Sequence, residues 1–179
     1  MSQMTDSSLV HFVPANREAA ILDASVSRIF VVAHEALGST NHWSLYLQTS
    51  SDGSVHIDCQ PSHSIPSTVL KGGSKANLII SELPTKVIDF NTEAQFVVDV
   101  EPGLSVRQVY DCIVENGRHK YEFDENGVGC RNWVTDQLDL FYQAELLIDD
   151  GQIAEAKAGI LTQWPSQKFN PLDKGAYYP

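Results

Sequence analysis

One cysteine and two histidines are the residues of this 179-residue chain whose types and spacing best suit catalysis. Cys130 follows a Gly-Val-Gly loop and precedes a segment in which apolar residues recur at helical spacing. A thiol in the first turn of a helix is stabilised as thiolate by unpaired backbone N–H groups and by the helix dipole. Gly129 would also let a substrate approach closely. Cys130 is therefore a candidate nucleophile, and the alternative is an ordinary buried thiol.

A cysteine nucleophile needs a base, and His42 and His56 lie on two segments that are predicted to pair as strands. His42 opens "HWSLYLQT", His56 lies in "VHIDCQ", and the Asp-Gly of the intervening "SSDGS" predicts a tight reversal. Adjacent antiparallel strands would bring both rings to one end of the sheet. His42 would then take the thiol proton while His56 orients the ring. Asp58 is the alternative orienting residue, and an exposed acid at a strand end is the other interpretation of it.

The elements that must position these side chains are predicted strands followed by predicted helices. Period-two patterns and β-branched runs predict strands, whereas helical spacing begins after Gly103, with Ser105 as N-cap and Gly117 at the helix end. The predicted segments are strands near 29–32, 42–49, 55–60, 77–83 and 94–101, a surface loop at 61–76, and helices at 105–117, after Cys130 and at 151–161. The predicted fold class is α+β, with an antiparallel sheet of about four to six strands packed against helices.

Length and composition predict one domain over residues 1–179, with an N-terminal arm at 1–20 and an irregular C-terminal tail at 162–179. The formal net charge of −11 would repel phosphate backbones, so nucleic acid is excluded as a partner. No window approaches the ~20 consecutive apolar residues of a membrane span, and the first residues lack the layout of a signal peptide. We therefore expect a cytoplasmic protein without stable membrane insertion.

Three cysteines without a Cys-x-x-Cys pair predict free thiols, with no disulfide framework and no metal site. Cys59 and Cys112 are interpreted as packing residues. No cofactor is expected. The expected partner is a small-molecule or acyl substrate, and a homo-oligomer is an open alternative.

Two stretches resemble a known family. "NHWSLYLQTSSDGSVHIDCQP" is similar to the His-box hairpin of the lecithin:retinol acyltransferase-like proteins, a circularly permuted branch of the NlpC/P60 papain-like superfamily. "SVRQVYDCIVENGRHKYEFDENGVGCRNWVTDQL" is similar to that family's helix, tyrosine-containing connection and Cys box. Gly129 stands where that family has asparagine, and Arg131 and Asn132 replace its acidic and histidine followers. The chain also resembles an uncharacterised, largely fungal domain family with a Gly-Cys-Arg-aromatic signature.

The first resemblance implies a permuted papain-like fold and cysteine-dependent acyl transfer, with Cys130 as nucleophile, His42 as general base and His56 as third member. The substrate would be a soluble ester, thioester or amide that forms a thioester on Cys130. Two alternatives remain: a non-catalytic binding module on the same scaffold, and a small-molecule biosynthetic enzyme that uses the pocket without covalent catalysis.

Four residues are candidates for binding the substrate, each with a structural alternative. Arg131 could direct a carboxylate or phosphate to the thiol, or could form a surface ion pair with Asp124, Glu125 or Asp136. Trp43 and Trp133 could wall a cleft, or could belong to the core. Gly129 would admit the substrate beside the nucleophile.

Overall fold

The structure, a computed structural model, describes residues 9–49, 52–84 and 92–179. Over these ranges the chain is mixed α+β, with a large sheet packed against helices. The strands are β1 (Val10–Val13), β2 (Val26–Leu37), β3 (Thr40–Thr49), β4 (Ser54–Pro66), β5 (Ser74–Leu83), β6 (Thr92–Asp99), β7 (Tyr121–Phe123), β8 (Thr162–Gln163), β9 (Lys168–Phe169) and β10 (Ala176–Tyr177). The α-helices are α1 (Glu18–Asp23), α2 (Val106–Glu115), α3 (Cys130–Gln143) and α4 (Asp150–Ile160).

Within the described ranges, eight strands form one sheet in the order β10-β7-β5-β4-β3-β2-β6, and β1 adds to β5. The sheet is antiparallel except for the β1–β5 pair, which is parallel. The sheet is thus larger than the four to six strands expected. The difference arises because the N-terminal segment, predicted to be an arm or a short strand, and the C-terminal tail, predicted to be irregular, contribute β1 and β10 to the sheet.

One face of the sheet carries the core. Ile29, Leu45, Ile57 and Leu78 lie on four neighbouring strands and are fully buried. They belong to one apolar cluster with the inward residues of the helices, which include Val109, Val134, Phe141 and Ile160. Because side chains alternate along a strand, the residues between them, such as Ser44, His56 and Asp58, belong to the other side of the strands.

Strands β3 and β4 form a fork. Their ladder runs from Gln48 opposite Ser54 to Leu45 opposite Ile57. Beyond this point β3 continues beside β2 as far as Thr40, and β4 continues beside β5 through Pro61. The region 61–76, predicted to be a surface loop, therefore begins and ends as strand. Its prolines are compatible with a strand because β4 is an edge past the fork, where a missing N–H costs no ladder hydrogen bond.

Both predicted helix signals near α2 are confirmed. The Ser105 side chain accepts a hydrogen bond from the backbone N–H of Gln108, and the Gln108 side chain accepts one from the backbone N–H of Ser105. This pair of bonds is a capping box. Gly117 has a φ of 66° and ends the helix, with backbone bonds from residues 117 and 118 back to Val114 and Ile113. Across the described ranges, no helix is long and apolar enough to cross a membrane.

Candidate functional site

The site lies in the fork, where the His42 ring meets a carboxylate. His42 Nε2 and Asp58 Oδ1 are 2.6 Å apart, and the Asp58 side chain is only 7% exposed. The other carboxylate oxygen of Asp58 accepts a short hydrogen bond from the Gln60 amide. Burial opposes the charge of Asp58, but the hydrogen bond and the charge of His42 prevail and lower its pKa. Asp58 is therefore an ionised partner for the ring.

The same ring also contacts the thiol of Cys130. Cys130 lies close enough to His42 that the interaction between the two side chains raises the pKa of His42, and both side chains line the same cavity. Burial lowers the pKa of His42, but the hydrogen bonds and charges of Asp58 and Cys130 outweigh it and raise that pKa to about 10. At neutral pH His42 is thus a cation between a carboxylate and a sulfur.

Helix α3 and the loop before it fix the thiol. Asp124 Oδ1 accepts from the backbone N–H groups of Asn126 and Val128, which shapes the turn that leads into the helix. Cys130 is the first residue of α3, and it is 6% exposed. Its sulfur lies 4.0 Å from the carbonyl oxygen of Asn41, next to His42. The cysteine is therefore held at a helix start, as predicted, against the open end of β3.

Gly129 has a structural reason to be glycine. Its φ is 154°, and a Cβ there would lie 3.2 Å from the Phe123 ring and 3.3 Å from the Tyr121 ring. The Tyr121 hydroxyl donates to the Gly129 carbonyl at 2.8 Å and accepts from Asn132 and from the Gly175 N–H. Close packing of the helix start on two aromatic rings excludes a side chain at position 129.

A cavity of about 600 Å³ opens over His42 and Cys130. His42 and Cys130 line it, together with His34, Glu35, Gln60 and Val128 among others. A volume of this size is in the range of small-molecule sites. The thiol is thus buried within the protein yet reachable from a concave surface.

His56 lies deeper in the hairpin than His42. Its Nε2 lies 2.8 Å from the Ser44 hydroxyl, and its ring stacks on Tyr46 with centroids 4.2 Å apart. The Ser44 hydroxyl also bonds His34 Nε2 at 2.7 Å. The observed register puts His56 opposite Tyr46, deeper in the paired part of the hairpin. The side chain that bonds to His42 is that of Asp58. Asp58 is buried, so its interpretation as an exposed strand-end acid is wrong.

The substrate-binding prediction is wrong for both tryptophans, because they belong to the core. Trp43 is 1% exposed and stacks on Phe96 with centroids 6.1 Å apart. Trp133 is fully buried and its indole N–H donates to the Arg118 carbonyl at 2.8 Å. Both side chains serve packing.

Arg131 is neither a substrate ligand nor a surface ion pair. It is 2% exposed, and its guanidinium donates to the carbonyl oxygens of Ile160, Asn170 and Pro171. Burial lowers its pKa. Arg131 therefore anchors the C-terminal segment to the residue that follows Cys130, and Gly129 is likewise a packing position rather than part of the cavity wall.

The other two cysteines are buried free thiols, as the sequence predicts. Burial, followed by the charges of Asp58 and Cys130, raises the pKa of Cys59 well above its ordinary value. Burial also raises the pKa of Cys112. Among the residues at 9–49, 52–84 and 92–179, no three His, Cys, Asp or Glu side chains are grouped to hold a metal ion.

Fold and site define a mixed α+β protein in which a cysteine at a helix start and a histidine line a cavity, and a buried aspartate bonds to the histidine. The chain belongs to the family described as Domain of unknown function (DUF7770), which matches residues 29–178. Neither a curated protein nor a solved structure matches the chain.

Proposed function

We propose that this protein catalyses cysteine-dependent acyl transfer, as a thiol hydrolase or an acyl or amide transferase, through a thioester on Cys130. The observation that carries the proposal is the position of His42, which bonds to Asp58 and interacts with Cys130 at the wall of a cavity. A nucleophile, a base beside it and an acid that orients the base are what covalent acyl transfer requires.

In the proposed mechanism the reacting form is an imidazolium–thiolate pair, in which the raised pKa of His42, about 10, keeps the proton on the ring. The Cys130 thiolate attacks the carbonyl carbon of an ester, thioester or amide, and the first turn of α3 supplies backbone N–H donors for the oxyanion. His42 then gives its proton to the leaving alcohol, thiol or amine as the bond to that group breaks. The acyl group remains on the sulfur as a thioester.

The second half of the reaction reverses the proton transfer. Neutral His42 takes a proton from water or from an acceptor alcohol or amine, which attacks the thioester carbonyl. The Cys130 thiolate leaves, and the imidazolium–thiolate pair is restored. Asp58 keeps the ring oriented and stabilises its charge in both halves.

A permuted papain-like fold is part of the same proposal. It is supported by a cysteine helix that packs on an antiparallel sheet and by a histidine hairpin that precedes this helix in the chain. In that fold Asp58 would be the third member of the catalytic triad, after Cys130 and His42. It lies two residues beyond His56, the third member that the resemblance implies.

Acyl trapping tests the proposed reaction. Wild-type protein is mixed with p-nitrophenyl esters of short acids, p-nitrophenol release is followed, and the intact mass is measured after acid quench. We expect an acyl adduct that maps to Cys130, absent in Cys130→Ala and retained in Cys112→Ala, a matched loss of a buried thiol. Release by Cys130→Ala at the wild-type rate, or an adduct elsewhere in the wild type, would contradict the proposal.

A further inference from the structure

The wall of the cavity has an uneven charge. Glu35 is exposed and lines the cavity beside His34. Among the residues that the structure describes, the lining contains no lysine or arginine. Its other polar side chains are three histidines (His34, His42 and His63) and asparagine, glutamine and threonine. A bound molecule therefore meets a carboxylate on this wall with no lysine or arginine to balance it.

The charges at the reacting centre do not offset Glu35. The His42 cation is already paired with Asp58 at 2.6 Å, so once the thiol is acylated and neutral, Glu35 adds an unbalanced negative charge. The whole chain adds to this field, with a net charge of −11. A cavity with low-dielectric walls focuses such a field, which attracts cations and repels anions.

We infer that the cavity selects acyl substrates with a cationic group near the reacting carbonyl, such as amine-bearing esters, thioesters or amides, and that Glu35 provides this selectivity. The inference rests on the proposed function, since it concerns what Cys130 reacts with. It disfavours phosphate-bearing thioesters and acyl groups with a free carboxylate, because these place negative charge against Glu35.

Charged thiol reagents of similar size test the inference without a known substrate. The probes are 2-aminoethyl, 2-hydroxyethyl and 2-sulfonatoethyl methanethiosulfonate, which are cationic, neutral and anionic. In each reaction the thiolate attacks the thiosulfonate sulfur, a mixed disulfide forms and methanesulfinate leaves. The rate at Cys130 is measured by peptide mass mapping at pH 8 and divided by the rate for free N-acetylcysteine.

After this normalisation we expect the cationic reagent to react with Cys130 about tenfold faster than the anionic one. Glu35→Gln should reduce this preference by about threefold or more, and Glu35→Lys should reverse it. Glu101→Gln is the matched control, because it removes an exposed carboxylate outside the cavity lining and changes the net charge equally. The control should keep the wild-type preference.

The outcomes separate the two claims. If Cys130 reacts rapidly with all three reagents but shows no charge preference, or if Glu35→Gln and Glu101→Gln behave alike, the inference about selectivity is refuted and the proposed function stands. If Cys130 reacts with none of them faster than N-acetylcysteine does, the proposed nucleophile is refuted, and the inference falls with it.

Discussion

Replacing Asp58 by asparagine removes one charge from the site and keeps nearly the same side-chain volume. In the wild type, the hydrogen bond to Asp58 is the largest of the contributions that raise the pKa of His42. Without the carboxylate, burial lowers the pKa of His42 again, and the Cys130 thiolate loses part of its cationic partner. Asp58→Asn should therefore slow the reaction of Cys130 with iodoacetamide at pH 7.5.

The size of the effect follows from the geometry of the contact. The His42–Asp58 bond is short, at 2.6 Å, and its carboxylate is largely removed from water. Hydrogen bonds to charged groups contribute about 1.5–3 kcal/mol, and each ~1.4 kcal/mol is a factor of ten. We therefore expect the second-order rate constant to fall by about 10- to 150-fold.

The assay quantifies the alkylated Cys130 peptide by mass spectrometry, which separates it from the peptides of Cys59 and Cys112. Asp139→Asn is the control, because Asp139 is a partly exposed carboxylate paired with Lys157 at 2.8 Å on the helices. Its rate should stay within about twofold of the wild type, as expected for a surface ion pair.

A rate for Asp58→Asn within twofold of the wild type would refute the assignment of Asp58 as the orienting residue. A double-variant cycle sharpens this test. In a His42→Ala background, Asp58→Asn should change the rate little, because the carboxylate acts through the ring. An undiminished effect in that background would show that Asp58 acts on Cys130 by another route.

Three further predictions concern stability and are measured by urea unfolding. Wild type should be more stable than His42→Ala, and the part of this advantage that comes from the charge of His42 should be full below about pH 6.5 and lost as the pH rises through about 10, because folding raises the pKa of His42 from 6.5 to about 10; an advantage that grows with pH would contradict this sign. Arg131→Met should lower the free energy of unfolding by about 3 kcal/mol or more, since three buried carbonyl groups lose their donor, whereas Arg107→Met, which breaks a surface pair, should cost less than about 1 kcal/mol. Gly129→Ala should cost about 1–3 kcal/mol more than Gly103→Ala, because both glycines have a positive φ but only Gly129 faces aromatic rings; equal costs would refute the packing argument.

Sequence patterns predicted the elements that carry the site because their signals are local. The cap at Ser105, the end at Gly117 and the helix start at Cys130 each depend on a few adjacent residues. These three local signals agree with the observed helix bounds. The proximity of Cys130 and His42 has no local signal, and only the order of the two stretches that resemble the His-box hairpin and the Cys box pointed to it.

The choice between His56 and Asp58 depended on strand register, which the sequence left open. A two-residue Asp-Gly turn, as expected, would place His42 opposite His63. In the structure Gln48 is opposite Ser54, and Gly53 lies outside the left-handed region. This register brings Asp58 to His42. Both acid and histidine were visible in the sequence, but only the register decides which of them reaches the ring.

The partners of Arg131 could not be predicted from the sequence for a different reason. Its partners are backbone carbonyl groups of residues 160, 170 and 171, and no side-chain pattern indicates such acceptors. The charge pattern instead indicates an ion pair between Arg131 and one of the acidic residues nearby in the sequence. A buried arginine that binds main-chain carbonyls can be recognised only once the tertiary fold is known.

Cys130 comes from a part of the chain distant from the hairpin that carries His42 and Asp58, and it reaches His42 only when α3 docks on the forked end of the sheet. Contacts between distant segments form slowly compared with local helices and turns. In an unfolded chain Cys130 would be an ordinary thiol, without a histidine beside it. Rapid alkylation at Cys130 would therefore act as a built-in reporter of native folding, usable in refolding experiments before any substrate is known.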